Sequence, residues 1–267
     1  MSIKKYIKVY KHFLATNIAV ETSFRFNFFL VFLVEICWLL LLLSHNYILF
    51  EHIESFNGWN RDHFFFFSVL VALYDQLFLA FFATNFWRFS ESLRLGTMDF
   101  VLTKPVSSLF SIFVRYQRIS ALFAALLSIV CAIYFGHNLN INFTFSTLIG
   151  LILLFIIGMT LRVGLEIIIG TFMFITIEGE AINILRLNLQ QFAKQPAFIY
   201  RNTTRFILLY IFPLCMTTTL PATWLFSNGA TPLIQIVLIM SAATTLIWAL
   251  VFIVWRWGIN RYESASS

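Results

Sequence analysis

The sequence predicts an all-α integral membrane protein. Its expected parts are six transmembrane helices, an amphipathic N-terminal interfacial helix, a short cytoplasmic helix between spans two and three, and a re-entrant segment before the last span. Three observations predict it. Hydrophobic residues make up 60% of the 267 positions and charged residues only 11%, against roughly a quarter charged in soluble domains. The apolar residues fall in runs of the length, about 18 or more, that crosses a bilayer as a helix with every backbone amide satisfied internally. The Lys and Arg residues gather in alternate connections, as the positive-inside rule requires. A net charge of +6 in a soluble protein would point to nucleic acid. Here it is loop asymmetry, and no nucleic-acid partner is expected.

The opening "MSIKKYIKVYKHFLA" sets Ile3, Ile7, Tyr10 and Leu14 on one helical face and Lys4, Lys5, Lys8 and Lys11 mostly on the other. Residues 1–22 therefore read as a helix in the membrane interface, its lysines towards anionic lipid headgroups. Spans one and two occupy 26–86, as Phe26 to Ser44 and Phe64 to Phe86. Spans three and four occupy 119–177, with cores from Ile119 to Phe135 and Thr147 to Ile168. Spans five and six occupy 206–255, the fifth from about Phe206 and the sixth from Leu233 to Val254. Sixteen of the 18 Lys and Arg residues then fall on one side, counting those of 88–118 and of Arg186 to Arg205. That side is the cytoplasm, and both termini lie there. Trp87, Trp255 and Trp257 are expected at its interface. The fifth span, with Pro213 and Pro221 flanking three threonines, reads either as a kinked helix or as a helix that ends and is followed by a re-entrant piece. Irregular backbone survives at membrane depth only when protein or a cavity shields it.

Between spans two and three the chain turns polar. Gly96 breaks the helix leaving the membrane, Thr97 suits an N-cap, and Asp99 sits in the first turn, where the helix dipole favours a carboxylate. Met98, Val101 and Leu102 share a face, Lys104 suits the negative pole, and Pro105 ends the helix. A two-turn cytoplasmic helix with an apolar face fits a groove in a soluble partner.

The sequence contains no G-x-x-x-x-G-K-[ST], H-E-x-x-H, G-x-S-x-G or paired C-x-x-C. Nucleotide binding and the hydrolytic chemistries those motifs serve are not expected of this chain. The three cysteines lie in apolar runs without metal-ligand spacing, and no metal site is expected. Glu35, Asp75, Arg162 and Glu166 lie within spans, where a charge must face protein or water. Arg162 and Glu166, four apart, are placed to pair. Glu35 and Asp75 have no basic neighbour in sequence. They are open to roles in a dimer interior, in substrate contact, or in a proton-coupled carrier.

The passage "LRLGTMDFVLTKPVS" resembles the segment after the second span in ABC type-2 exporter permeases. That passage, "QQFAKQPAFIYRNTTRFILLYIFPLCMTTTLPATWLF" and the ending "RWGINRYESASS" together resemble the bacterial subfamily called ABC-2 family transporter protein. The resemblance implies a non-catalytic half-channel in the bacterial inner membrane, paired with a second permease, itself or a related chain. It also implies cytoplasmic ABC ATPase subunits that bind the ATP and Mg, this chain needing no cofactor. It implies that Gly96 to Pro105 is the coupling helix seated in the ATPase and that Pro213 to Pro221 begins the re-entrant region. The aromatic, nearly uncharged interior suits an amphiphilic or lipid-like substrate. The other expectations held open are a proton-coupled secondary carrier using Glu35 and Asp75 and a non-transporting membrane scaffold.

Overall fold

The structure, a computed structural model, describes residues 3–176, 179–227 and 231–262. The expected limit at residue 177, part of the loop before the last span and the last five residues of the C-terminal motif lie outside them. The regular elements of the described residues are all helical, with an isolated bridge between Phe56 and Trp59 the one β-type pairing. Five helices are long and apolar enough to cross a membrane: α2 (Arg25–Leu49), α3 (Arg61–Arg94), α6 (Ser120–Asn138), α7 (Phe145–Phe174) and α11 (Leu233–Arg261). Preceding them, α1 (Ile3–Ser23) runs along the outside of the bundle and buries no residue completely.

Side-chain contacts fix the direction of each helix. Along α3 and α7, Tyr74 stacks on Phe155, Arg162 lies over Phe78, and Phe89 meets Phe174 at 5.2 Å. These two helices therefore run parallel. In α11, Leu233 abuts Gly150, Met240 abuts Gly158 and Ile247 abuts Gly164, so it runs parallel to α7 as well. A side chain at Gly158 would overlap the Tyr74 hydroxyl, and one at Gly164 would come within 2.8 Å of Ile247. Small residues are what allow apolar helices to approach this closely where no hydrophobic drive separates lipid from protein. One end of the bundle thus carries Arg94, Phe174 and Arg261. The other carries Arg61, Asn138 and Leu233.

Because α7 finishes at the first end and α11 starts at the second, the chain must traverse the bundle between them. It does so over residues 179–199. Gly179 lies against Ser90, the Arg186 guanidinium lies over Phe86, Lys194 reaches Asp75, and Phe198 packs edge-on to Trp59 at 4.8 Å. The traverse is α8 (Gly179–Gln190) followed by 3-10 turns at Gln191–Lys194 and Ala197–Ile199. After it, α9 (Asn202–Ile211) and α10 (Met216–Phe226) meet at a bend of 102°, with Pro213 in the break. Cys215 donates from Sγ to the Phe192 carbonyl, Thr218 donates to that of Ala193, and Phe226 reaches Trp59. The pair dips to the level of Phe192 and returns to the end it left, which makes it re-entrant.

The expected fifth span is corrected accordingly. It begins at Gly179, and the segment from Phe206 to Phe226 does not traverse the bundle. Twelve of the Lys and Arg residues lie at the Arg94 end, three (Arg61, Arg201, Arg205) at the other, and Arg162, Arg186 and Lys194 lie between. The asymmetry survives, weaker than the sequence count.

At the Arg94 end, Gly96 turns the chain with φ +66°, a region that only glycine enters without strain. Next come α4 (Met98–Leu102) and α5 (Ser108–Phe113). α1 docks on the same region: Tyr6 meets Phe110 edge-on at 4.9 Å, Asn17 donates to the Arg115 carbonyl, and the Ser120 amide donates to Glu21. Trp255 is not an interface anchor as expected. It is buried among Phe89, Phe113 and Phe174, its indole N–H donating to Ser108 Oγ. Trp87 and Trp257 are exposed.

Candidate functional site

Halfway along the bundle the three intermediate cations meet the expected carboxylates. Asp75 lies about 21 Å from the Arg61 end of α3 at 1.5 Å per residue. Arg162 Nη1 is 2.7 Å from Asp75 Oδ1, and its Nε is 3.8 Å from Glu166. Arg186 Nη1 binds the other Glu166 oxygen at 2.5 Å, and Lys194 Nζ is 3.7 Å from Asp75. Lys194, Asp75, Arg162, Glu166 and Arg186 therefore form one chain of ion pairs across α3, α7 and the 179–199 traverse. Glu166 and Arg186 are fully buried. Charges in that position survive only when paired, because desolvating each costs several kcal/mol. Two of the cations also lie over aromatic rings, Arg162 over Phe78 at 4.2 Å and Arg186 over Phe86 at 4.4 Å.

The expected Arg162–Glu166 pair is present but secondary; the shortest contacts of these residues go to Asp75 and Arg186. Glu35 faces the same space from α2 without an ion-pair partner within 4 Å among the described residues. A cavity of about 200 Å³ lies between α2, α3, α7 and the traverse, its charged lining made of Glu35, Asp75, Glu166, Arg162, Arg186 and Lys194, with Gln190 beside them. Its mouth is apolar, with Trp38 and Leu187 both exposed.

Beside the cluster, α3 contains a π-helical turn at Leu79–Ala83. Such turns leave backbone carbonyls unpaired inside a helix and are frequent at functional sites. Here the Arg118 amide donates to the Ala80 carbonyl at 2.7 Å. Asn85 donates to the carbonyls of Phe81 and Tyr116 and accepts from the Tyr116 amide. The segment from α5 to α6 is thereby fastened to α3 within about three turns of Asp75.

The short helix at the Arg94 end differs from its expected form. It spans five residues rather than two turns, and Thr97 holds the N-cap position with its hydroxyl donating to the Ser92 carbonyl rather than accepting from the helix. Met98 is fully buried in the bundle core, with Val101 half-buried behind it. The apolar groups turned outward are Phe100, 72% exposed, with Leu95 and Leu102. Lys104 and Pro105 are exposed as well. Pro213 lies in the α9–α10 break, while Pro221 is buried inside α10.

A family model described as ABC-2 family transporter protein matches residues 33–266. The chain belongs to that family. No curated protein and no solved structure matches it. Members of the ABC-2 family are membrane transport subunits without catalytic activity, the ATPase lying in separate subunits. Apolar helices and family together make this chain a multi-pass membrane permease. Among the described residues no group of three or more His, Cys, Asp or Glu is arranged to hold a metal ion.

Sequence reasoning missed Arg186, Gln190 and Lys194 of this ABC-2 chain. They lie in a segment too polar to read as a span, so Arg186 and Lys194 count there among the cytoplasmic cations and Gln190 draws no notice. One signal was available: Arg186, Gln190 and Lys194 recur every four residues, on one face of a helix.

Proposed function

We propose that the chain is the membrane-spanning half of an ATP-driven exporter, with its Arg94 end in the cytoplasm. Both termini then face the cytoplasm of the bacterial inner membrane. A second permease, this chain or a related one, completes the translocation path, and ABC ATPase subunits supply ATP and Mg. The observation that carries this reading is the short helix α4. Buried Met98 anchors it to the bundle while Phe100 and Leu102 stand outward at the most basic end, as a knob for a groove in a soluble partner requires. Movement of α4 reaches the charge cluster through the Asn85 and Arg118 hydrogen bonds to α3. Gly96 to Pro105 serves as the coupling segment, with Phe100 and Leu102 as its contact residues and Met98 as its anchor.

Co-purification of the chain from its native membrane with an ATPase tests the reading. Phe100→Ala with Leu102→Ala is expected to abolish ATPase stimulation in the complex, with stability changed by less than about 0.5 kcal/mol. Unchanged stimulation would sink the coupling assignment. The proton-coupled carrier has weaker support, because Asp75 is held by Arg162 and Lys194. Transport by the isolated chain along a pH gradient would favour it, and absence of both an ATPase and any flux would favour a scaffold.

A further inference from the structure

The charge cluster is not self-sufficient. Its five contacting members hold three cations against two carboxylates, and Glu35 on the same cavity wall brings the lining into charge balance. Its hydrogen bonding is not in balance, because four of the five unsatisfied atoms on these side chains and Gln190 are N–H donors. Arg162 Nε and Glu166 Oε1 have no hydrogen bond but face each other across 3.8 Å. What remains on the cavity wall is Arg186 Nε, Arg186 Nη2 and Gln190 Nε2, all buried, all N–H donors, and all without a partner among the described residues. Arg186 and Gln190 stand one helical turn apart and both line the cavity. Leaving such donors unpaired costs about 1–3 kcal/mol each, so the arrangement is built for an acceptor it does not itself contain.

We infer that this cavity receives the acidic head of an amphiphile, a phosphate or carboxylate whose oxygens accept from Arg186, Gln190 and Lys194. The inference rests on the permease reading and specifies its substrate class. Several unpaired donors on one wall select for an oxygen acceptor, and a guanidinium with free Nε and Nη2 offers the two-pronged geometry that phosphate and carboxylate take. At about 200 Å³ the cavity is smaller than the roughly 300 Å³ at which pockets for drug-sized molecules begin. It holds a head and not a tail. The tail leaves by the apolar mouth, along Trp38 and Leu187, both exposed on the outer surface of the bundle. Glu35 at the rim excludes a second acidic group and tolerates an ammonium.

Trp38 makes the site observable. The full chain is placed in phosphatidylcholine nanodiscs and titrated with a brominated alkyl phosphate, whose bromine quenches tryptophan on contact. Trp38→Phe isolates that signal from the other tryptophans. Saturable quenching is expected, with half-saturation raised about tenfold by Gln190→Leu and by Lys194→Gln. Neither variant strands a buried charge, and an unchanged unfolding midpoint checks that each remains folded. Equal quenching by a brominated alkyl trimethylammonium, or no response to either variant, would overturn the inference. Stronger quenching by the ammonium would overturn it in favour of an amine held by Glu35. Competition by inorganic phosphate at comparable concentration would overturn the amphiphile in favour of a soluble anion. The titration contains no ATPase, so its failure leaves the coupling assignment standing, and loss of coupling leaves the binding result standing.

Discussion

Two segments cross this bundle in opposite ways. Leu233–Arg261 is an unbroken apolar helix of 29 residues, mostly exposed along its length. The 179–199 traverse has 12 helical residues, then 3-10 turns, and carries Arg186, Gln190 and Lys194. The first must satisfy every backbone group internally and offer lipid an apolar surface. One face of the second packs on α3, α7 and α10, where Arg186 and Lys194 meet protein partners, while Ile184, Leu185 and Leu187 on its other face stay exposed. Hydropathy therefore reports the crossings that are apolar all round and says little about one whose polar face packs on protein.

The comparison breaks most completely in a topology experiment. Cysteines placed at Arg201 and Arg205 are expected to react with an impermeant thiol reagent from the side opposite to one placed at Arg115. Labelling of all three from one side would return the crossing to the segment after Phe206. A smaller but large effect separates the two segments energetically. Glu166→Ala leaves Arg186 buried without its carboxylate and is expected to destabilise by about 3–5 kcal/mol. The double variant Glu166→Leu with Arg186→Leu recovers most of that loss in a thermal unfolding assay. If the single and double variants unfold alike, the pair does not hold the traverse in place. The apolar crossing responds more mildly. Gly164→Leu pushes into Ile247 and Trp248 and is expected to cost about 1–3 kcal/mol through overpacking, leaving the labelling pattern unchanged.

Much of the fold was legible from one dimension. Spans one to four and six, the helix break at Gly96 and the basic bias of one end follow from run length, glycine and the placement of Lys and Arg. These are local properties, and lipid exposure enforces them residue by residue. Asp75, Arg162, Glu166 and Glu35 were also marked in advance, since a charge inside an apolar run needs a reason. Their partners were not. Arg186 and Lys194 sit more than a hundred residues along the chain from Asp75, in a stretch whose polarity imitates a loop.

Sequence alone thus determined that this is a helical membrane protein, because hydrocarbon admits few backbone solutions and each leaves a run-length signature, and its motifs carried the resemblance to the ABC-2 family. Only the tertiary structure decided which segment makes the fifth crossing, which side of α4 faces outward, and which cation meets which carboxylate. Those depend on what lies beside each residue. A guanidinium is intolerable against lipid and stable against Glu166 and Phe86, and nothing in its own neighbourhood of sequence distinguishes the two.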